Sequence, residues 1–137
     1  MPATKTETLS VNAGAEVVSV RHRVRSFAVE LGFSLVEQTK IVTAASELAR
    51  NMVDYGRGGV VTIEALQEAT RKGLRLTFKD QGPGIPNIQD ALRDGFTTGS
   101  GMGLGLGGAK RLSNEFDIQS APGQGTTVTI TRWRGGT

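Results

Sequence analysis

From Gly99 to Gly108 the chain reads G-S-G-M-G-L-G-L-G-G, and this run constrains the fold more than any other stretch. Glycine loses more backbone freedom on folding than any other residue, so a run this dense is entropically costly to fold. Of the chain's 137 residues 19 are glycine, and they are concentrated between Gly82 and Gly125. A folded chain must gain something from bare backbone there. Successive glycines let amide groups converge on an anion, and a helix starting directly afterwards adds its positive N-terminal end. A flexible linker fits poorly, because Met102, Leu104 and Leu106 alternate with the glycines and a helical pattern follows at once. Two other phosphate loops also fit poorly. Gly103, Gly105 and Gly108 match G-x-G-x-x-G, but no hydrophobic strand precedes them and no βαβ unit surrounds them. A P-loop needs G-K-S or G-K-T, and neither is there.

The rest of the chain supplies the elements around this run. Glu7 to Val11 reads as an edge strand, and Asn12 is placed to cap the helix that follows. Val17, Val20, Val24, Phe27 and Leu31 recur at three and four, so 14–31 reads as an amphipathic helix ended by Gly32. Its other face carries Arg21, Arg23, Arg25 and His22, the last a solvated surface residue. A second helix runs from about Leu35 to Tyr55, with Val42, Ala45, Leu48, Met52 and Tyr55 facing in, and Gly56, Gly58 and Gly59 stop it. Val60 to Ala69 and Leu74 to Phe78 read as an antiparallel hairpin across a turn at Thr70–Gly73. Residues 80–86, D-Q-G-P-G-I-P, fit no regular element. Ile88 to Asp94 reads as a short helix, Phe96 to Gly101 as loop and Leu104 to Glu115 as helix. Phe116 to Ser120 and Thr126 to Trp133 form a closing hairpin over A-P-G-Q-G. Hairpins with helices to one side make an α+β sandwich rather than a doubly wound sheet.

The length suits one domain over 1–137. No apolar run is long enough to span a bilayer, and M-P-A-T-K-T-E-T has no apolar core of a signal peptide, so a cytoplasmic protein is expected. Cysteine is absent, which excludes disulfides and thiol catalysis. A net charge of +3 with scattered cations and only 5% aromatic residues argues against nucleic-acid or membrane partners.

Four stretches carry chemistry. In S-E-L-A-R-N-M-V-D-Y, residues 46–55, Glu47, Asn51 and Asp54 share a helical face while Leu48, Met52 and Tyr55 follow the same rhythm on the next. Asn51 offers a neutral oxygen to a hard cation, and Glu47 offers a base or a holder for water. Asp80 closes a strand ahead of Gly82 and Gly84, where a flat ligand can slide against bare backbone and donate to the carboxylate. The glycine run is the third stretch. Gly123, Gly125 and Thr126 form a tight turn into the last strand, from which the Thr126 hydroxyl could reach Asp80 or a base.

In this order the four stretches resemble the GHKL (Bergerat-fold) ATP-binding family of histidine kinases, HSP90-type chaperones, gyrase-type topoisomerases and MutL proteins. E-L-A-R-N resembles its N box, D-Q-G-P-G-I its adenine motif, G-M-G-L-G-L its phosphate-side motif and G-Q-G-T its closing turn. S-E-L-A-R-N with F-T-T-G-S-G-M-G-L-G-L-G-G-A-K-R-L is further similar to RsbT-type serine/threonine protein kinases of bacterial partner-switching and stressosome systems. The resemblance implies a two-layer α/β sandwich whose sheet is mixed and mostly antiparallel, with helices on one face and a mobile ATP lid over roughly Pro86 to Gly103. It implies ATP and Mg2+ as cofactors, with Asn51 as metal ligand and Glu47 as general base or as the group orienting the attacking hydroxyl. Asp80 would accept from the adenine amino group with Thr126 helping through water. Gly82 and Gly84 would line the base, and Gly101, Met102, Gly103, Leu104 and Gly105 would wrap the phosphates. The implied partners are a STAS-domain antagonist as substrate and a PP2C-type phosphatase or a sigma factor downstream. One departure stands out: several related anti-sigma kinases carry an arginine just before S-G-M-G, where this chain has Thr98 and Gly99. Arg50, Lys110 and Arg111 are the candidates to steady the γ-phosphate, although Arg50 could instead pair with Asp54.

Overall fold

The computed structural model describes residues 3–85, 87–92 and 106–135. Its elements are β1 (Ala3–Val11), α1 (Gly14–Glu30), α2 (Leu35–Asp54), β2 (Gly59–Glu68), β3 (Arg71–Asp80), α3 (Ile88–Ala91), α4 (Leu106–Arg111), β4 (Glu115–Ser120) and β5 (Thr126–Trp133). The strands form one sheet in the order β1-β2-β3-β5-β4. All four pairings are antiparallel, so the mixed sheet expected from the resemblance is here antiparallel throughout among the described strands.

Alternation in the strands sorts the two faces. Val61, Ile63, Leu74, Leu76, Phe78, Val128 and Ile130 are buried and share one core with Val17, Val20, Val24 and Phe27 of α1 and Ile41, Leu48 and Met52 of α2. Burial of each such side chain contributes about 1.5–3 kcal/mol. Across the opposite face, register sets Thr8, Thr62, Thr77 and Thr129 side by side, with Glu64 and Arg75 joined next to them by a two-pronged ion pair of 2.9 and 3.1 Å. Small residues on α2 (Ala44, Ala45 and Ala49, all fully buried) let the helix lie close on the sheet.

Local chemistry explains the helix starts. Ser34 and Glu37 cap α2 reciprocally, Glu37 N donating to Ser34 Oγ at 3.1 Å and Ser34 N to Glu37 Oε1 at 2.9 Å. The expected cap of α1 by Asn12 is not what forms. Ala13 stands at the cap, and the Glu16 carboxylate accepts from the Asn12 and Ala13 amides at 2.7 and 3.0 Å. The Asn12 side chain turns instead to Gly58, where an added Cβ would fall 2.4 Å from Asn12 Oδ1.

Between β3 and β4 the chain leaves the sheet. It carries α3 and α4, α4 packs on α2, and the chain then returns to the outer strand β4. This excursion and the C-terminal half of α2 form the two sides of a cleft at one end of the sheet.

Candidate nucleotide site

The cleft encloses about 490 Å3 of space open to solvent. Leu48, Met52, Phe78 and Val128 give it an apolar floor that is also the top of the core. Pro83, Gly84 and Ile85 wall one side, and Leu106, the first described residue of α4, closes another. Asn51, Tyr55, Asp80 and Thr126 bring polar groups to it. An apolar slot with few polar groups suits a flat ring.

Asp80 is the most constrained of these. Its Oδ1 accepts from the Gly82 amide at 2.9 Å and the Thr126 amide at 3.1 Å. Oδ2 accepts no hydrogen bond from any described residue and remains available to a donor in the cleft. Three glycines make room for the side chain and its backbone. A Cβ on Gly56 would lie 2.5 Å from Asp80 Cγ and Oδ2, and one on Gly125 would lie 2.3 Å from Asp80 O. One on Gly82 would lie 2.6 Å from Gly56 Cα. Burial pushes the Asp80 carboxyl above its ordinary pKa, while the Gly82 and Thr126 amides pull it down. The net direction is up, so the carboxylate is a poorly solvated acceptor with a strong demand for a donor.

Thr126 meets Asp80 through its amide, not through its hydroxyl as the sequence suggested. Its Oγ1 lies 2.8 Å from Ser120 Oγ. Ser120 Oγ also accepts from the Ile85 amide at 2.8 Å and donates to Gly125 O at 3.1 Å. With the Ser120 proton spent on Gly125, Thr126 is the donor between the two hydroxyls. Ser120 thereby ties the 80–85 loop to the β4–β5 turn. Nothing in the sequence marked Ser120, which read as the end of a strand, and Gly56 read only as a helix stop.

On α2, Asn51 is half-buried in the cleft wall, and its backbone carbonyl accepts from the Tyr55 and Gly56 amides at 2.9 and 3.1 Å. Glu47 lies one turn earlier, exposed and outside the cleft lining. Asp54 is exposed too, and no ion pair joins it to Arg50 among the described residues. Gly82 sits beneath Asp80 by Gly56, and Gly84 adopts φ +80° with Ala121 O only 2.1 Å from where its Cβ would be. Gly101, Met102, Gly103, Leu104 and Gly105 lie outside the described residues, as does most of the expected lid. Lys110 and Arg111 are exposed in the last turn of α4, and His22 is exposed on α1. No group of three or more His, Cys, Asp or Glu residues suited to a metal ion occurs among the described residues.

An apolar slot, a carboxylate pinned by two amides at the end of β3 and a carboxamide on α2 thus line one cleft. Comparison with known proteins agrees with this geometry. A family model described as histidine kinase-, DNA gyrase B-, and HSP90-like ATPase matches residues 36–134. The chain is 45% identical over 118 residues to the serine/threonine-protein kinase RsbT of Bacillus subtilis (strain 168), covering 86% of this chain and 89% of that protein. It is 30% identical over 118 residues to an anti-sigma F factor of Thermoanaerobacter sp. (strain X514), covering 82% of this chain and 81% of that one. Among solved structures, the RsbU and RsbW domains of a Mycobacterium tuberculosis protein match 96% of this chain with a TM-score of 0.65 at 24% identity, and the match spans 33% of that chain. The SiaB–SiaC complex from Pseudomonas aeruginosa matches with a TM-score of 0.54 at 11% identity, over 96% of this chain and 90% of that one. The two structural matches carry the fold alone.

Proposed function

The chain belongs to the histidine kinase-, DNA gyrase B- and HSP90-like ATPase family, and from that membership we propose an ATP- and Mg2+-dependent protein serine/threonine kinase whose substrate is a STAS-domain antagonist. The observation that carries the ATP site is Asp80, with Oδ1 held by two amides and Oδ2 left for the adenine amino group. The 45% identity to a serine/threonine-protein kinase over most of both chains supports the transfer reaction.

Phosphoryl transfer needs positioning and charge neutralisation more than covalent chemistry from the protein. Asp80 fixes the base and the apolar floor of Leu48, Met52, Phe78 and Val128 excludes water beneath it, while the family resemblance assigns the phosphates to the stretch from Gly101 to Gly105. Glu47 orients the attacking serine hydroxyl and takes its proton as the Oγ–P bond forms and the bond from phosphorus to the ADP oxygen breaks. Mg2+ binds through one or two protein oxygens, phosphates and waters, so the Asn51 carboxamide fits it and the bound ion would neutralise phosphate charge. On the same reading the protein is cytoplasmic, belongs to a partner-switching or stressosome pathway, and turns to a PP2C-type phosphatase once its antagonist is phosphorylated. No nucleic-acid or membrane partner is part of it.

The test is transfer of labelled phosphate from Mg-ATP to a STAS-domain protein encoded beside this one, with Asn51→Ala as control. Transfer that vanishes in the control is the expected result. Tight ATP binding with no transfer to any such protein would overturn the kinase assignment. The 30% identity to anti-sigma F factors supports a second reading, an anti-sigma factor that sequesters a sigma factor in its ATP-bound state. A pull-down offering both partners separates the two, and retention of the sigma factor alone would favour the second.

A further inference from the structure

We infer that the Tyr55 hydroxyl is the donor half of an adenine-selective pair whose acceptor half is Asp80, an assignment that rests on the ATP reading of the cleft. Tyr55 is the only tyrosine in the chain. Its ring is half-buried in the cleft wall, yet its hydroxyl is buried and has no hydrogen-bond partner among the described residues. A buried hydroxyl without a partner is a net cost to the folded state, and phenylalanine would fill the same space without it. The phenol O–H is therefore a donor that the described residues leave unused.

Position points to its acceptor. Tyr55 caps the C-terminus of α2, its amide held by Asn51 O at 2.9 Å, one helical turn beyond the carboxamide assigned to the cation. The next residue, Gly56, lies directly against the Asp80 carboxylate. Tyr55 thus belongs to the base end of the cleft. Adenine presents a donor, its exocyclic amino group, beside ring nitrogens that only accept. Asp80 Oδ2 can only accept and the phenol O–H can donate, so the two match that edge. Guanine presents the reverse order at the same positions, an oxygen acceptor beside an N–H donor. Because the hydroxyl is buried, the contact to the ring nitrogen, direct or through one water, requires the half-exposed ring to turn toward the cleft as the base enters.

The experiment is ATP and GTP titration of the wild-type protein and Tyr55→Phe, with thermal unfolding of both in the absence of nucleotide. Tyr55→Phe is expected to weaken ATP roughly three- to tenfold and leave GTP unchanged, the loss of one hydrogen bond. The same variant is expected to unfold at the same or a higher temperature, because the unmet donor is gone. A packing role would lower both quantities together and weaken both nucleotides alike, and that outcome overturns the assignment, as does unchanged ATP affinity. Incorporated 3-fluorotyrosine gives a single fluorine resonance to follow. Adenosine should shift it, whereas a shift with tripolyphosphate alone would place the contact at the phosphates and overturn the base assignment. Wild-type protein that binds no ATP would fail the underlying reading instead, so the two failures are distinct.

Discussion

Gly56→Ala tests whether the Asp80 pocket is built as described. Gly56 is not among the residues with positive φ, so alanine suits its backbone, and any effect must come from the added methyl group. That methyl carbon would lie 2.5 Å from Asp80 Cγ and Oδ2 and 2.7 Å from Asp80 Cβ. Ordinary contact begins at 3.4 Å, so something must give by nearly an ångström. The aspartate side chain is short and has no flexible end to swing aside. A shift of that size stretches its 2.9 and 3.1 Å bonds to the Gly82 and Thr126 amides beyond bonding range, or turns Oδ2 away from the cleft. Overpacking of this kind costs about 1–3 kcal/mol of stability. Losing a charged acceptor for the adenine amino group costs about 1.5–3 kcal/mol, or roughly 10- to 150-fold in ATP affinity. Calorimetric titration with ATP measures the second and urea unfolding the first. Gly14→Ala is the control, since nothing lies within 4 Å of its added carbon. An Asp80→Ala background removes Cγ and Oδ2 but keeps the Cβ 2.7 Å away, so the penalty of Gly56→Ala should shrink without disappearing, giving a coupling energy smaller than the single-variant cost. ATP affinity within twofold of wild type in Gly56→Ala, or full additivity in the cycle, would refute the description of this pocket.

Asp80→Asn should keep the fold, because its carbonyl oxygen can still receive the two amides, while its NH2 group faces the adenine amino group donor to donor and ATP binding collapses. The pH dependence has a definite sign. A folded pKa raised by burial gives Asp80 a stabilising contribution at low pH that is lost as pH rises through the folded value, so at neutral pH the charge costs stability. Thermal unfolding at pH 7 should therefore find Asp80→Asn at least as stable as wild type. Wild-type ATP affinity should fall as pH is lowered through a midpoint above the ordinary aspartate range, with no such step in the variant. A midpoint at or below the ordinary value would contradict the burial argument. Ser120→Ala removes the hydroxyl shared by Ile85 N, Gly125 O and Thr126 and should cost about 1–3 kcal/mol in denaturant unfolding, with weaker ATP binding because Ile85 lines the cleft. Asn51→Ala should abolish Mg2+-dependent transfer and weaken ATP, and a wild-type rate in the labelled-phosphate assay would remove Asn51 from the metal site.

The elements whose own side chains write the period were legible in the sequence. The apolar spacing of α1, α2 and β5 is local, and the helix read over 14–31 and the strand read over Thr126–Trp133 stand at Gly14–Glu30 and Thr126–Trp133. The first strand begins at Ala3 rather than Glu7, because its exposed outer residues carry no alternation and are held only by pairing with β2. The helix read over Leu104–Glu115 is described as Leu106–Arg111 and is followed by β4 from Glu115, since the Asn114 amide bonds to Thr131 O and commits the chain to the sheet. The order that inserts β5 between β3 and β4 had no local signal at all. In the site, the place of Asp80 at the end of its strand was legible from the alternation of β3 and the glycines that follow it. Ser120 and Gly56 were not, because each matters only through a partner distant in sequence, Ile85 for one and Asp80 for the other.

Antiparallel register explains why the polar groups gather where they do. Gly59 pairs with Asp80 on the last rung between β2 and β3, and Lys79 pairs with Thr127 on the last rung between β3 and β5. The next rung would set Asp80 opposite Thr126. There the Thr126 amide leaves the ladder and donates to the Asp80 carboxylate instead, at 3.1 Å. One backbone hydrogen bond is exchanged for a charge-assisted one, so the exchange fixes the side chain at little cost to the sheet. The same strand end receives the C-terminus of α2, where Gly58 N bonds to Met52 O at 2.7 Å and turns the chain into β2. The five residues that follow α2, four of them glycine or the cap Tyr55, therefore lead from the helix that carries Asn51 into β2, whose first residue Gly59 pairs with Asp80. Substitutions in that turn should act on base binding before they act on the core, because the core residues of α2 end at Met52 while the contacts to Asp80 begin at Gly56.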